Sequence, residues 1–157
     1  MFDLYSEFRQ LIAALDEQRI DYALCGGLAM AVYDHARATV DIDLLILSES
    51  LDPVMTLATE LGYEIRGLDM TFSNGAIEIR RVSKIDPVSG HVLSLDLLLV
   101  TSAIQRIWNS RVEADWEDGT LSIVSRAGLI ELKRLRASPQ DIADIVALEK
   151  DIDDATN

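Results

Sequence analysis

The sequence predicts an α/β or α+β domain with a mixed central sheet, helices flanking it and two further helices at the C-terminus. Three observations lead there. Strand and helix patterns alternate at the front of the chain, strand patterns dominate the middle, and apolar residues at helical spacing fill the end.

The elements follow in order. Leu4, Phe8, Leu11, Ile12 and Leu15 recur at helical spacing and predict an amphipathic helix to about Gln18. Tyr22–Cys25 reads as a strand, Gly26-Gly27 opens a helix over Leu28–Tyr33, and the apolar run Thr39–Leu47 predicts a second strand. A helix over Pro53–Leu61 is closed by Gly62, which can take the left-handed conformation that ends helices. Strands are expected at Thr71–Ser73, Ala76–Val82 and His91–Val100, the first two joined by a tight turn at Asn74-Gly75. Thr101–Asn109 reads as helix and Val112–Val124 as a hairpin around Asp118-Gly119. The last of the closing helices has a marked start: Ser138 can cap, Pro139 suits the first helical position, and Asp141 stands where a capping-box acid would.

Composition narrows the class. A chain of 157 residues, about half of them apolar, suffices for one core, so a single domain over 1–157 is expected, its core about 20–124 and its C-terminal helices about 125–150. The segment Met1–Glu7 carries acids and no basic leader, and no apolar run approaches a membrane span; a cytoplasmic protein with no membrane partner is expected. The lone Cys25 fits a reducing compartment and reads as a small buried packing residue. Fourteen basic residues against 27 acidic ones give a formal charge of −13, which argues against non-specific DNA or RNA binding. A small acceptor, a protein, or a structured RNA end held by a local basic patch stays open. The acidic end, Glu149 through Asp154, reads as a fraying solvated tail.

The chemistry concentrates around Asp41-Ile42-Asp43. Residues two apart on a strand share a face, so these carboxylates would lie roughly 6–7 Å apart at Cα. Their neighbours Val40, Ile42, Leu44, Leu45, Ile46 and Leu47 mark a buried strand, where a bare pair would cost several kcal/mol. A divalent cation removes that penalty. Mg2+ suits the pair, Mn2+ being the alternative, because it takes carboxylate oxygens and keeps other positions for water and phosphates. Asp96, the only charge in Leu93–Val100, belongs with them if its strand lies beside Thr39–Leu47. Three carboxylates can hold two ions about 3.5–4 Å apart, the arrangement for in-line phosphoryl chemistry. Gly26 and Gly27 would let backbone N–H groups approach phosphate oxygens at a helix N-terminus, although a glycine pair alone is commonly a plain turn.

With these residues in place, the chain resembles the nucleotidyltransferase superfamily that includes DNA polymerase β, whose signature is Gly-Gly or Gly-Ser, then Asp-x-Asp, then a later strand aspartate. Gly26-Gly27, Asp41-Ile42-Asp43 and Asp96 match in order and spacing. Ala23–Ala29 with Arg37–Asp43 looks like small bacterial and archaeal members, including the abortive-infection type IV toxin nucleotidyltransferases. A weaker likeness continues into Leu129–Lys133 and Arg136 to Ile145. The resemblance implies transfer of a nucleoside monophosphate from a nucleoside triphosphate to an acceptor hydroxyl of a tRNA end, a protein or a small molecule, with pyrophosphate released. Asp41, Asp43 and Asp96 would be the catalytic metal ligands, and Gly26, Gly27, Arg37, Thr39 and Lys133 would contact the nucleotide.

Simpler readings stand beside these. Lys133 lies in the most basic cluster and could line a cleft or sit on a solvated helix face. Arg37 could be a surface arginine, and Thr39 could only favour its strand. Capping explains Asp141, and an ion pair with Arg136 would explain Asp144. Nothing pairs His35 with a nucleophile. Trp108 and Trp116 suit core packing better than base stacking. A non-catalytic binding or regulatory module on the same fold is the alternative function, which three retained carboxylates speak against. Larger family members often add a helical domain; here two short helices form a minimal lid, or a homodimer or partner protein completes the wall.

Overall fold

The apolar run that carries the paired aspartates becomes the middle of the sheet. The computed structural model describes residues 2–117 and 119–156, with the side chains of 153–156 excepted. Its elements run α1 (Leu4–Glu17), β1 (Ala23–Cys25), α2 (Gly26–Val32), β2 (Asp41–Ile46), α3 (Leu51–Glu60), β3 (Ile65–Arg66), β4 (Met70–Phe72), β5 (Ile77–Ile85), β6 (Val92–Leu99), α4 (Gln105–Asn109), β7 (Val112–Trp116), β8 (Gly119–Ile123), α5 (Arg126–Arg136) and α6 (Pro139–Thr156). The strands form one mixed sheet in the order β3-β5-β6-β2-β1-β8-β7, with β4 also paired to β5. It is the α+β fold expected, six helices around eight strands among the described residues.

Strand β2 lies between β1, antiparallel, and β6, parallel. Ile42, Leu44, Leu45 and Ile46 are fully buried there, which is why the strand reads as an unbroken apolar run. Helix α1 starts at Asp3, whose carboxylate accepts from the Tyr5 N–H, and buries Phe8, Leu11, Ile12 and Leu15 on the predicted stripe. Glu7 on that helix pairs with Lys84 of β5 at 2.5 Å, and the ammonium also sits over the Tyr63 ring. Trp108 is buried and Trp116 lies against Phe8 with ring centroids 5.1 Å apart, so both tryptophans pack. Cys25 is buried as expected.

The capping box at the last helix is present: Ser138 Oγ accepts from the Asp141 N–H at 3.1 Å, and the Asp141 carboxylate accepts from the Ser138 N–H at 3.1 Å. Helix α5 is capped by Ser125, whose Oγ accepts from the Gly128 N–H. Gly62 takes φ +99° after α3, and Asn74 and Gly75 both have positive φ in the turn between β4 and β5.

Some expectations need correction. The segment Thr101–Asn109 is a short 3-10 turn followed by α4, rather than one helix. Strand β2 starts at Asp41, two residues later than predicted, where Thr39 Oγ1 accepts from the Asp41 N–H. The two-residue edge strand β3 was too short to leave a pattern. Glu149 to Thr156 form the end of α6, and the segment expected to be a fraying tail is anchored at two positions: Glu149 pairs with Arg134, and Asp151 pairs with His35 and Arg126 at 2.5 and 2.7 Å. Met1, Asp118 and Asn157 lie outside the described residues, Asp118 being half of the pair around which the hairpin was expected. No described helix is long and apolar enough to cross a membrane.

Because Leu44 is fully buried at the centre of the sheet, Leu44→Ala should lower stability by about 2–5 kcal/mol in urea denaturation. Val88, 95% exposed, should tolerate alanine to within about 0.5 kcal/mol in the same assay.

Candidate active site

Pairing register assembles the site. Cys25 of β1 stands opposite Asp43 of β2, Asp43 opposite Asp96 of β6, and Asp96 opposite Arg81 of β5. These residues make one row across four strands, and cross-strand partners share a face. Asp41, two residues before Asp43, joins that face at the mouth of the strand. The parallel β2–β6 neighbourhood on which the role of Asp96 depended is therefore present.

Opposite the row, the chain turns from β1 into α2. Gly26 has φ +68°, and a Cβ there would lie 2.1 Å from Asp43 Oδ2. Only glycine meets both the conformation and the approach. At Gly27 a Cβ would come within 2.8 Å of Thr39 Oγ1, so this second glycine lets the Arg37–Val40 loop close over the turn.

Helix α5 and the start of α6 form the far wall. Gly26, Gly27, Arg37, Thr39, Asp41, Asp43, Asp96 and Lys133 all line one cavity of about 130 Å³, together with Arg136, Ser138, Gln140 and Asp141. All eight residues picked from the sequence thus meet around one space. A larger cleft of about 500 Å³ beside the start of β1, lined by Asp16, Tyr22 and Arg111 among others, contains none of them.

The electrostatics divide the carboxylates. Asp43 is 7% exposed, and among the described residues its carboxylate makes no hydrogen bond or ion pair. Burial, reinforced by the charge of Asp96, pushes its pKa up to about 7. Burial and then Asp96 also raise Asp41, which keeps more contact with solvent. Burial and the Asp43 charge push the Cys25 thiol well up, away from nucleophilic use. Asp96 is partnered, because Arg81 donates to it from Nε at 2.7 Å and from Nη2 at 2.9 Å.

The cations are committed unequally. Lys133 is 4% exposed, which overturns the solvated-face reading. Its ammonium donates to Asp144 at 2.8 Å and lies 3.6 Å from Asp141. Arg37 also donates to Asp144, at 3.1 Å, while its Nε is buried without a partner. Burial would raise Asp144, but hydrogen bonds from Lys133 and Gln140 outweigh it and hold this carboxyl below its ordinary range. Asp144 is thus explained by Lys133 and Arg37, and not by Arg136 as the sequence suggested. Arg136 has no ion pair among the described residues; it lines the cavity with its guanidinium 5.9 Å from the Phe72 ring centroid.

Sequence reading missed two residues here. Arg81 is visible only once the β5–β6 register is known. Arg136 carried a signal, being in the basic cluster of α5, but Lys133 drew the attention.

No protein-family model and no curated protein matches the chain. Solved structures match over nearly its whole length. The lincosamide antibiotic adenylyltransferase LnuA, in a lincomycin-bound crystal structure, aligns with TM-score 0.61 at 15% identity over 92% of this chain and 95% of its own. ANT(2'')-Ia, crystallised with adenylyl-2''-tobramycin, aligns with TM-score 0.64 at 15% identity over 94% of this chain and 88% of its own. TM1012 of Thermotoga maritima aligns with TM-score 0.52 at 12% identity over 94% and 91% of the two chains. The chain has the nucleotidyltransferase fold.

Proposed function

We propose that this protein is a nucleotidyltransferase that moves a nucleoside monophosphate from a nucleoside triphosphate to an acceptor hydroxyl, with Mg2+ or Mn2+ as cofactor. The observation that carries this reading is the facing of Asp41, Asp43 and Asp96 toward the Gly26-Gly27 turn across one small cavity.

The residues fit a divalent ion. Asp43 is a buried carboxylate without a partner among the described residues, pressed against a glycine that leaves its oxygens open to the cavity. Asp41 stands beside it with a raised pKa, so a cation is the natural counter-charge for the pair. Such an ion, once bound, would polarise the transferred phosphate and offset charge developing on it. A second ion at Asp96 would have to displace Arg81.

The chain's own groups supply the rest. Backbone N–H groups of the Gly26-Gly27 turn can approach phosphate oxygens, as can Arg136, the uncommitted cation. Lys133 and Arg37 reach the same cavity from their anchorage on Asp144, and Thr39 spaces the Arg37 loop from Gly27. A space of about 130 Å³ suits the phosphate and metal end of a nucleotide, leaving sugar and base outside it.

For the acceptor, the two antibiotic adenylyltransferases favour a small hydroxylated molecule and an adenylate donor. A formal charge of −13 agrees, since it suits a cationic acceptor better than a nucleic acid. An acceptor on RNA or on a partner protein, the toxin-like reading, draws on the sequence resemblance alone.

Calorimetry with each of the four nucleoside triphosphates should show Mg2+-dependent binding, tightest for ATP, that disappears in Asp43→Asn; transfer should fall by about 10²-fold or more. Unchanged binding in that variant would remove the assignment. Arg136→Met should weaken ATP binding about tenfold or more with little change in melting temperature. Lys133→Met, which removes one partner from the buried Asp144 and Asp141 while Arg37, Gln140 and Ser138 remain, should instead lower stability by about 1–3 kcal/mol.

The sign of the pH response follows from Asp43. Its folded pKa, about 7, lies above the ordinary 3.8, so the folded state binds the extra proton between those values. Stability of the metal-free protein should therefore fall as pH rises through that window, and Asp43→Asn should be more stable than wild type at pH 7.5. Metal competes with the same proton, so affinity should rise up to about pH 7 and level off above it. Calorimetry at pH 6 in buffers of different ionisation enthalpy should register proton release on metal binding.

A further inference from the structure

The row that brings Asp43 and Asp96 together ends in a cation. Arg81 stands directly across β5–β6 from Asp96, and its Nε and Nη2 engage both carboxylate oxygens at 2.7 and 2.9 Å. The same Nη2 lies 4.0 Å from Asp41 Oδ2. A planar guanidinium thus sits between the two carboxylates that a second ion would bridge, with the fork geometry that only arginine presents. An ion at Asp41 and Asp43 would be held by two carboxylates, with phosphate oxygens and water completing its shell.

Building on the nucleotidyltransferase reading, we propose that Arg81 is a resident cation standing in for a second metal ion. The pocket takes one divalent ion, at Asp41 and Asp43. Arg81 keeps Asp96 out of the ligand set and fixes its carboxylate, which makes Arg81 a positioning residue. A lone Asp96, 2% exposed, would otherwise be a buried charge in need of its own cation.

The test counts Mn2+ per chain by electron paramagnetic resonance, alone and with an ATP analogue carrying a methylene between the α and β phosphates. Wild type should hold one ion under both conditions, and Arg81→Met should hold two. Arg81→Lys, which keeps the charge without the fork, should stay at one. If Arg81→Met fails to fold in metal-free buffer, added Mn2+ should restore its melting transition, since the ion then replaces the guanidinium; failure to restore it overturns the proposal. Two ions on the wild type, or one on a folded Arg81→Met, also overturns it while leaving the transferase reading intact. No ion on the wild type, with or without the analogue, overturns that reading and this proposal together.

Discussion

Everything around the cavity answers one constraint: β2 and β6 run parallel in a register that sets Asp43 directly beside Asp96 inside the sheet. Adjacent strands lie about 4.8 Å apart. At that spacing two carboxylates repel by about 3 kcal/mol at an effective dielectric of about 20, before the loss of hydration is counted. The apolar residues that make β2 a good central strand sharpen the conflict by excluding water. A sheet can keep such a pair only if a cation or a proton comes to it, and the surrounding elements are arranged around where those charges sit.

The protein resolves the conflict asymmetrically. Asp96 receives a fixed partner from the neighbouring strand, because β5 pairs antiparallel to β6 with Arg81 opposite. Asp43 receives none and faces a glycine instead of a side chain. The same division recurs on the C-terminal helices, where Asp144 gathers Lys133, Arg37 and Gln140 while Arg136 is left without an ion pair among the described residues. Among the described residues the cavity therefore offers an unpartnered anion at Asp43 and a cation without an ion pair at Arg136. That is the polarity a metal-bound triphosphate requires, positive charge wanted at the carboxylates and negative charge wanted at α5.

Much of this was legible in the sequence because it depends on local pattern. The glycine pair, the Asp-x-Asp repeat on an apolar strand and the isolated Asp96 each betray themselves by breaking a hydrophobic run. The Ser138-Pro139-Asp141 start of α6 is equally local and appears as read. What was hidden depends on register and on distant partners. Arg81 follows Arg80 in a strand with no clean alternation of burial, and nothing local tells which of them meets Asp96. Lys133 looked as much like a solvated residue as a buried one, because the acids that neutralise it lie on the next helix. The end of α6 looked like a free acidic tail because its partners, His35, Arg126 and Arg134, come from elsewhere in the chain.

The proposal that so acidic a protein binds a triphosphate looks contradictory only if charge is averaged over the surface. Arg37, Lys133 and Arg136 line the cavity and Arg81 borders it, so four of the fourteen basic residues gather where the phosphates would lie. Local potential governs what binds at a cleft, whereas net charge governs what approaches from a distance. Here the two act on different parts of the reaction. In the proposed reaction the gathered cations and a carboxylate-held ion would recognise the donor's compact negative end, and the acidic remainder would repel long polyanions and attract cations. A small cationic acceptor would therefore meet a favourable field outside the cavity, while an RNA acceptor would need a basic surface beyond the cavity to offset that field.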